Sequence, residues 1–497
     1  MKHASRFERV AARMWNLLNE GKPFTPIFVL GVLILYYYRD LVSVNFWTDL
    51  IVSIALTLPI FVIYYMFDFP LHLRKYLWLP FLIGLYVFTP APIGLYALAI
   101  GMYFFFTVIF WGTIYYHLRI GTKWTNYRRF WKLVLKNSDS TSGNAQEQLP
   151  KVLFILGVMA YFHEGLSSSG WNGVMDIRFD SGLFFVVYGV FLVVLAVYAY
   201  LIHYFLFRWK PKELPFTKDY PLPAEQGVGA PRASKVFIVI IDGCRKDRLA
   251  EAHTPFLDRM CQEGTEFTLM ETLYPDRTVV CFSSLFTGAY PLEHGIKSNM
   301  VWRHGVRTES LFDSLRKVNK KGRLLGIAHL VDAFGDDVET VTAVMNNDLA
   351  DGNIMRRARH IMEQQNPDVL ITQLIATDQT GHSQGALYDE YKQKIEEADQ
   401  HTAMFYNWLE QKGWMEDAVF MVLADHGQSD GIGGHGHLDE GERYVPFIMM
   451  GKGIQAGLRV DEPHSLVSVT PTVCALLQAP LPDHSHGPVL SAAWVKS

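Results

Sequence analysis

The second half of this 497-residue chain carries aspartate and histidine side chains in three short clusters. The clusters contain Asp242, then Asp378 with His382, then Asp425 with His426 and, shortly afterwards, His435. Carboxylate oxygens and imidazole nitrogens are the ligands that Zn²⁺ or Mn²⁺ prefers in proteins. One such residue alone has an ordinary interpretation, because a lone aspartate after a strand usually caps a turn and a lone histidine usually makes a surface hydrogen bond. Three clusters together favour a metal centre.

A threonine in the stretch 274–288 (YPDRTVVCFSSLFTG) is the candidate nucleophile. The hydroxyl of Thr278 is not ionised near neutral pH, and a coordinated metal ion lowers the cost of ionising it. Two metal ions about 3.5–4 Å apart would stabilise both the attacking and the leaving oxygen in an in-line displacement at phosphorus. The stretch also predicts a helix that begins at Thr278 and ends at Gly288, and a helix N-terminus suits a phosphate group. This position favours Thr278 over Ser283 and Ser284.

Other kinds of site have no support in the sequence. It contains no G-x-S-x-G elbow, and no Walker A loop or G-x-G-x-x-G follows a predicted strand. The four cysteines form no C-x-x-C pair, which argues against a zinc knuckle or a thioredoxin-type centre, and we expect buried thiols. The formal net charge of -4 gives no case for binding nucleic acid.

Apolar runs immediately before the clusters predict the strands that position them. Residues 235–241 (KVFIVII), 369–375 (VLITQLI) and 418–424 (AVFMVLA) are typical of parallel strands buried on both faces. A further strand is predicted at 444–450, and helical patterns lie between the strands. Ligands of open α/β sheets lie beyond the carboxyl ends of the strands. We therefore predict an α/β sandwich with one site along the strand ends.

The first two hundred residues are much more apolar than the rest of the chain. Four runs are each long enough to cross a hydrocarbon core of about 30 Å. These runs cover residues 26–44, 50–68, 92–117 and 182–207. Two shorter runs, 76–89 and 151–166, either span the membrane or form re-entrant or interfacial segments. The sequence predicts a multi-span α-helical transmembrane domain over residues 1–207.

The distribution of lysine and arginine bears on the orientation of these runs. Basic clusters occur at the N-terminus, at 74–75, within 119–136 and at 208–212. If all six apolar runs span, every cluster falls on one side, and the positive-inside rule then puts the catalytic half in the cytoplasm. If one short run does not span, the catalytic half lies outside. The sequence therefore indicates a multi-pass protein of the cell membrane and leaves its sidedness open.

Two connecting segments have distinct compositions. Residues 125–136 (TNYRRFWKLVLK) mix basic and apolar residues at helical spacing, which predicts a helix lying on the membrane surface. A plain connector is the alternative. Residues 208–234 are rich in proline, glycine and charge without periodicity, which predicts a linker. The catalytic domain is then predicted at 235–497.

The motifs of the second half resemble the alkaline phosphatase superfamily, and most closely its type I phosphodiesterase/nucleotide pyrophosphatase branch. IDGCRKDRL resembles the first metal-binding motif of that branch, TDQTGHSQG its D-x-x-G-H motif, ADHG its Asp-His pair and GGHGHLDEGERYVPFIMMGKG its third-histidine segment. Thr278 is similar to the nucleophile of that branch in its position ten residues before Gly288. AYPLEHGIKSN resembles the segment whose asparagine, here Asn299, contacts phosphate. The resemblance covers most of residues 235–490 and is specific in order and spacing.

This resemblance implies two divalent metal ions, with Zn²⁺ expected and Mn²⁺ as the alternative. One ion would be held by Asp378, His382 and His435, and the other by Asp242, Asp425, His426 and Thr278. His437 lies two residues from His435 and could be the ligand in its place. Thr278 and Asn299 would then be the catalytic residues.

The sulfatase branch of the superfamily is disfavoured by the nucleophile position. That branch carries a formylglycine precursor there in a C-x-P-S-R context, whereas this chain has Thr278, and Cys281 is followed by Phe-Ser-Ser-Leu. Membrane-anchored members, such as lipoteichoic acid synthases and phosphoethanolamine transferases, join several N-terminal spans to an extracytoplasmic catalytic domain, and the architecture here is similar. The local motifs also resemble, more loosely, those of GPI ethanolamine phosphate transferases. This analogy favours an extracytoplasmic catalytic domain, against the charge distribution.

The combined expectation is a membrane-anchored, two-metal phosphodiesterase or phosphotransferase that works through a phosphothreonine intermediate. Because a soluble nucleotide needs no multi-span anchor, we expect the substrate to be a lipid-linked or membrane-associated phosphoester. One alternative is a phosphomonoesterase, which would use the same residues in a differently shaped pocket. The other is a non-catalytic ligand-binding membrane protein.

Overall fold

The computed structural model describes residues 21–67, 76–88, 91–133, 145–167, 182–207, 212–223, 233–299, 301, 305–341, 346–430, 434–436 and 438–495. The chain divides into two compact units, a helical unit drawn from residues 17–115 and 124–210 and a mixed α/β unit drawn mainly from residues 211–497, with which residues 116–123 are grouped. The domain boundaries proposed from the sequence (1–207, 208–234 and 235–497) stay predictions.

The described residues before residue 211 contain eight α-helices. They are α1 (Gly21–Tyr36), α2 (Val44–Met66), α3 (Trp78–Val87), α4 (Ile93–Phe104), α5 (Tyr116–Ile120), α6 (Tyr127–Leu133), α7 (Ala145–Ser167) and α8 (Gly182–Phe207), and a π-helix (Phe105–Tyr115) joins α4 to α5. Among the described residues, four helical stretches are long and apolar enough to cross a membrane, by length and composition. These are Val44–Met66, Ile93–Leu118, Glu147–Leu166 and Gly182–Tyr204. They agree with a membrane protein whose N-terminal half holds the apolar helices.

The predicted span 26–44 is wrong at its C-terminal end. Helix α1 ends at Tyr36, and residues 37–43 form turns before α2 begins. The amide of Asp40 donates to the carbonyl of Tyr37 (2.9 Å), and the amide of Ser43 donates to the carbonyl of Asp40 (2.9 Å). The charged side chains of Arg39 and Asp40 favour a turn in water over a continued apolar helix, which explains the break.

Helix α7 is longer than the predicted run 151–166, because it begins six residues earlier, at Ala145. It contacts α1, α2, α3 and α4, so it is largely buried among the other helices. Glu147 and Lys151 form an ion pair (2.5 Å) in its first turns, and the hydroxyl of Thr25 donates to Gln148 (2.9 Å). The ion pair lies within α7 and Thr25 of α1 supplies the other hydrogen bond, so α7 tolerates a less apolar sequence than a lipid-facing helix.

The predicted surface helix 125–136 appears as α6, preceded by a 3₁₀ turn at Trp124–Asn126. Residues 134–136 lie outside the described part of the chain. The aromatic side chains of Trp124, Tyr127 and Trp131 are exposed beside the basic residues of this segment. Its location at a membrane surface stays a prediction.

The described part of the α/β unit contains nine strands. They are β1 (Lys235–Ile241), β2 (Thr265–Glu271), β3 (Gly322–Gly326), β4 (Val338–Thr340), β5 (Val369–Leu374), β6 (Ala418–Leu423), β7 (Tyr444–Val445), β8 (Phe447–Gly451) and β9 (Leu458–Ser465). Its α-helices are α9 (Lys246–Glu251), α10 (Pro255–Glu263), α11 (Thr278–Thr287), α12 (Pro291–His294), α13 (Leu311–Lys317), α14 (Val331–Phe334), α15 (Asn347–Gln365), α16 (Ala376–Gln384), α17 (Asp389–Gln411), α18 (Glu440–Arg443) and α19 (Val469–Leu477).

The strands form one mixed sheet in the order β4-β3-β5-β1-β6-β8-β2-β7, with β9 paired to β2. The five strands from β4 to β6 run parallel, and β8 pairs antiparallel with both β6 and β2. Every residue of β5 and β6 is buried, as is β1 after its first residue. The three predicted central strands are therefore confirmed as neighbours, and the predicted strand 444–450 is interrupted by Pro446, whose missing N–H cannot join a ladder.

Part of the predicted linker packs against the end of the chain. Of residues 208–234, the structure describes 212–223 and 233–234. The amide of Thr217 donates to the carbonyl of Ser485 (2.8 Å), and the amide of Gly487 donates to the carbonyl of Pro215 (3.2 Å). A proline-rich segment without periodicity can therefore be held by backbone hydrogen bonds that its own sequence does not reveal.

Candidate metal centre

The three predicted clusters meet at one edge of the sheet. Asp242 follows β1, Asp378 lies in the first turn of α16 after β5, and Asp425 lies just beyond β6. Because these strands are adjacent and parallel, their carboxyl ends bring the three carboxylates together. Gly243 turns the chain here with φ of 64°, and a Cβ at this position would lie 2.9 Å from Oδ1 of Asp378. The turn therefore needs glycine.

Three candidate ligand oxygens lie around Nε2 of His426. That nitrogen lies 3.3 Å from Oγ1 of Thr278, 3.4 Å from Oδ1 of Asp242 and 3.3 Å from Oδ2 of Asp425. Ligand atoms at the corners of a tetrahedron around Zn²⁺, with bonds of 2.0–2.1 Å, would lie roughly 3.3 Å apart. The three separations measured from Nε2 of His426 are of this size.

A second group contains the other three predicted ligands. Nε2 of His382 lies 3.2 Å from Oδ1 of Asp378 and 3.2 Å from Nε2 of His435. Nε2 of His435 lies 3.7 Å from the same oxygen of Asp378. The imidazole rings of His426 and His435 stack with their centroids 3.8 Å apart, so the two groups are adjacent. Asp378 also lies close enough to Asp242 and His426 to form a ligand group with them.

Two histidines are held by main-chain carbonyls on the side away from the ligand groups. Nδ1 of His426 lies 2.9 Å from the carbonyl oxygen of Gly427, and Nδ1 of His435 lies 2.7 Å from that of Asp276. Since a carbonyl only accepts, Nδ1 carries the proton in each ring and Nε2 keeps its lone pair for a cation. His437, the alternative to His435, lies outside the described residues.

The buried carboxylates favour a bound cation. Burial and then the neighbouring carboxylates raise the pKa of Asp242, and burial also raises the pKa of Asp425. Although burial opposes it, the neighbouring His382 and the other imidazoles hold the pKa of Asp378 below its usual range. Oδ1 of Asp242 and Oδ2 of Asp425 are buried and accept no hydrogen bond from the described residues. Divalent cations would relieve this concentration of negative charge.

The predicted nucleophile helix is confirmed as α11, which begins at Thr278 and is capped by Gly288 in the left-handed conformation. The amide of Val279 donates to Oδ1 of Asn299 (3.0 Å), so Asn299 lies at the helix N-terminus beside the threonine. The hydroxyl of Ser283 donates to the carbonyl of Val279 (2.7 Å). Thr278 is therefore the hydroxyl of this helix that contacts the candidate ligands.

Two further side chains of the region have structural partners. The hydroxyl of Ser284 pairs with Nε2 of His294 (2.9 Å), and His294 is fully buried. The thiol of Cys281 lies 3.4 Å from the hydroxyl of Thr272, and burial raises its pKa. Neither arrangement presents a nucleophile to the ligand groups.

Sequence reasoning missed the side chains that support the ligands. Nε2 of Gln428 donates to Oδ1 of Asp378 (2.6 Å), and Nε2 of Gln373 donates to Oδ2 of Asp242 (2.5 Å). Arg245 donates to the carbonyl of Gln428 (2.9 Å). A signal was available for Gln373, since it is the only amide in the apolar run VLITQLI.

Two family models match the α/β unit. Residues 236–321 match the model for type I phosphodiesterase/nucleotide pyrophosphatase, and residues 333–479 match the sulfatase model. The first region contains Thr278 and Asn299, and the second contains the candidate ligands from Asp378 to His435.

Curated relatives match less than their full length. GPI ethanolamine phosphate transferase 2 of Eremothecium gossypii is 23% identical over 296 residues, which cover 52% of this chain and 35% of that protein. Ectonucleotide pyrophosphatase/phosphodiesterase family member 7 of Mus musculus is 24% identical over 237 residues, which cover 40% of this chain and 52% of that protein. The chain thus spans about a third to a half of the length of these relatives.

Solved structures also align with the chain. Murine ectonucleotide pyrophosphatase/phosphodiesterase 5 aligns with a TM-score of 0.44 and 13% identity, covering 51% of this chain and 97% of that one. A wild-type alkaline phosphatase aligns with a TM-score of 0.45 and 13% identity, covering 54% of this chain and 100% of that one.

Proposed function

We propose that this protein is a membrane-anchored, metal-dependent phosphodiesterase or phosphotransferase with Thr278 as its nucleophile. The proposal starts from the membership of its C-terminal domain in the alkaline phosphatase superfamily. The observation that carries the proposal is the position of the Thr278 hydroxyl. Its oxygen lies 3.3 Å from Nε2 of His426, and that nitrogen also lies within 3.4 Å of carboxylate oxygens of Asp242 and Asp425. A hydroxyl at this position is suited to attack phosphorus.

In the proposed reaction, Oγ1 of Thr278 attacks the phosphorus of a phosphodiester in line with the leaving oxygen. The new bond from phosphorus to Oγ1 forms as the bond to the leaving alkoxide breaks, and the threonine proton is released to water. Water then attacks the phosphothreonine in a hydrolase, or an alcohol does so in a transferase, and the threonine hydroxyl is restored. Asn299 lies beside Thr278 at the N-terminus of α11, where it can steady a non-bridging oxygen.

The residues that would hold the ions fall into two sets. Asp378, His382 and His435 would hold one, and Asp242, Asp425, His426 and Thr278 would hold the other. Two divalent cations, Zn²⁺ or alternatively Mn²⁺, would lower the cost of ionising the threonine hydroxyl and stabilise charge on the leaving oxygen.

We propose a lipid-linked or membrane-associated phosphoester as the substrate. Apolar helices long enough to span a membrane occupy the N-terminal half, and a soluble nucleotide would not need them. One relative is named a GPI ethanolamine phosphate transferase, and GPI is a glycolipid, which supports the same proposal. The side of the membrane that holds the catalytic domain can be determined by protease accessibility on intact cells.

The proposal is tested on the purified full-length chain in detergent. We expect bound metal, and hydrolysis of an aryl phosphodiester in preference to the matching monoester when Zn²⁺ or Mn²⁺ is supplied. A preference for the monoester would instead identify a phosphomonoesterase. A chain that binds no metal and cleaves neither ester would be a ligand-binding membrane protein, and the proposal would be wrong.

A further inference from the structure

A buried amide lies directly behind the candidate ligand Asp242. Gln373 is the fifth residue of β5 and pairs with Ile240 of β1 in the sheet. Its side chain is fully buried. A glutamine in the interior of a central parallel strand is costly unless both ends of its amide are hydrogen-bonded. Both ends are hydrogen-bonded here.

The orientation of this amide follows from its partners. The backbone N–H of Ile327 donates to Oε1 of Gln373 (2.9 Å). Because a backbone N–H can only donate, the atom facing it is the oxygen, and the amide nitrogen must face Asp242. Nε2 of Gln373 donates to Oδ2 of Asp242 (2.5 Å).

This hydrogen bond distinguishes the two oxygens of Asp242. Oδ2 is occupied by the amide, whereas Oδ1 accepts no hydrogen bond from the described residues and lies 3.4 Å from Nε2 of His426. The carboxylate is therefore rotated so that one oxygen, Oδ1, points into the ligand group that includes Thr278.

Gly326 provides the space that the amide needs. A Cβ built on Gly326, the last residue of β3, would lie 2.6 Å from Oε1 of Gln373. A side chain at residue 326 would push the amide from its position, which gives a way to disturb Gln373 without changing its chemistry.

We propose that Gln373 is a positioning residue for the metal ion beside Thr278. By holding Oδ2, it presents Oδ1 of Asp242 as a single ligand oxygen to the cation shared with Asp425, His426 and Thr278. This inference rests on the proposed function, because it requires that a cation bind there. Partners of this kind around metal ligands typically contribute 10–100-fold in metal affinity.

The test is a titration of the metal-stripped full-length chain with Co²⁺ and Zn²⁺ against a chromogenic chelator. Gln373→Met keeps the length of the side chain and removes the donor. We expect about 10–100-fold weaker binding of one ion, an altered visible spectrum of the cobalt at that site, and unchanged binding of the other ion. Thr372→Val is the matched control, since Thr372 is a buried polar residue of the same strand whose side chain points to the other face of the sheet.

A second variant guards against a folding defect. Gly326→Ala should weaken the same ion, and adding it to Gln373→Met should cost little more, because both changes remove one hydrogen bond. If the wild-type chain binds two ions and both variants bind them equally tightly, the role of Gln373 is wrong while the proposed function stands. If the wild-type chain binds no ion, the metal centre and this role are both wrong.

Discussion

The hydroxyl oxygen of Thr278 lies 3.3 Å from Nε2 of His426, although 148 positions separate the two residues in the chain. The contact joins the N-terminus of α11 to the carboxyl end of β6. A threonine that would be inert alone is thereby placed among carboxylates and imidazoles that can hold a cation.

Thr278→Ala should reduce turnover of an aryl phosphodiester by on the order of 10³-fold or more, because the attacking oxygen is lost. The remaining candidate ligands Asp242, Asp425 and His426 should still hold metal, which elemental analysis can check. Ser283→Ala is the control, since that hydroxyl bonds within α11. Turnover of Thr278→Ala at the wild-type rate would exclude this residue as the nucleophile.

Asp425→Asn should have opposite effects on stability with and without metal. In the metal-free chain the neutral amide replaces a carboxyl group whose charged form is disfavoured by burial, which raises its pKa, so the free energy of unfolding should rise. The amide can still accept from the backbone N–H of Gly243, as Asp425 does (3.2 Å). With Zn²⁺ present the variant should be less stable than the wild type, because it gains less from binding.

Thermal melting in chelator and in Zn²⁺ measures both effects. Asp417→Asn, a half-exposed carboxylate before β6, should change neither curve appreciably. Equal stabilisation of the wild type and Asp425→Asn by Zn²⁺ would contradict a ligand role for Asp425.

Much of the α/β unit could be predicted because its central strands are continuous apolar runs in the sequence. The run KVFIVII coincides with β1, and the candidate ligands follow the strand ends, where parallel strands converge. The contacts that orient the ligands could not be predicted in the same way. The carbonyl of Asp276 that holds His435 is a main-chain group 159 positions away, and backbone carbonyls carry no sequence signal.

The bounds of the helices in the helical unit were harder to predict from the sequence, also because of contacts that the sequence does not reveal. Hydropathy identifies α8, which is exposed along much of its length. The apolar run underestimates the length of α7, because the first turns of that helix carry polar side chains. The ion pair of Glu147 with Lys151 interrupts the apolar run in the sequence and still lies inside the helix. Burial within a bundle thus lets a helix extend beyond the apolar run that its sequence shows.

Arg245 should prove difficult to replace even by lysine. Its guanidinium donates to Asp247 through Nε (2.9 Å) and Nη2 (2.6 Å), while Nη1 donates to the carbonyl of Gln428 (2.9 Å). Lysine cannot make this forked set, so Arg245→Lys should lower the free energy of unfolding by about 1–3 kcal/mol and reduce turnover. Gly441→Ala should act similarly, because a Cβ there would lie 2.3 Å from the guanidinium.

Chemical denaturation and ester hydrolysis together measure this effect. Arg316→Lys supplies a control, since Arg316 is a half-exposed arginine paired with Asp313 and Asp337 and should shift stability by less than about 1 kcal/mol. If Arg245→Lys is no more destabilising than Arg316→Lys, the forked contacts do not stabilise this region.

His294 should make the α/β unit sensitive to acid. Burial lowers its pKa to about 3, whereas an unfolded histidine titrates near 6.5. As pH falls below about 6.5 the unfolded state takes up a proton that the folded state does not, so stability falls by up to roughly 1.4 kcal/mol per pH unit until about pH 3. His294→Gln should flatten this slope between pH 6.5 and 5, and the exposed His360→Gln should not. Equal slopes for the wild type and both variants would disprove the assignment.

Charge balance inside α7 provides a prediction for the helical unit. Lys151 and Glu147 are both buried and paired at 2.5 Å, so Lys151→Met should leave the carboxylate without this ammonium partner and cost about 3 kcal/mol or more. The double variant Glu147→Gln/Lys151→Met removes both charges and should recover most of that loss, because a neutral pair avoids the uncompensated buried charge. Thermal aggregation of the detergent-solubilised chain measures the difference, with Lys123→Met as the exposed control. If the double variant is as unstable as Lys151→Met, the loss arises from the packing of the lysine side chain rather than from its charge.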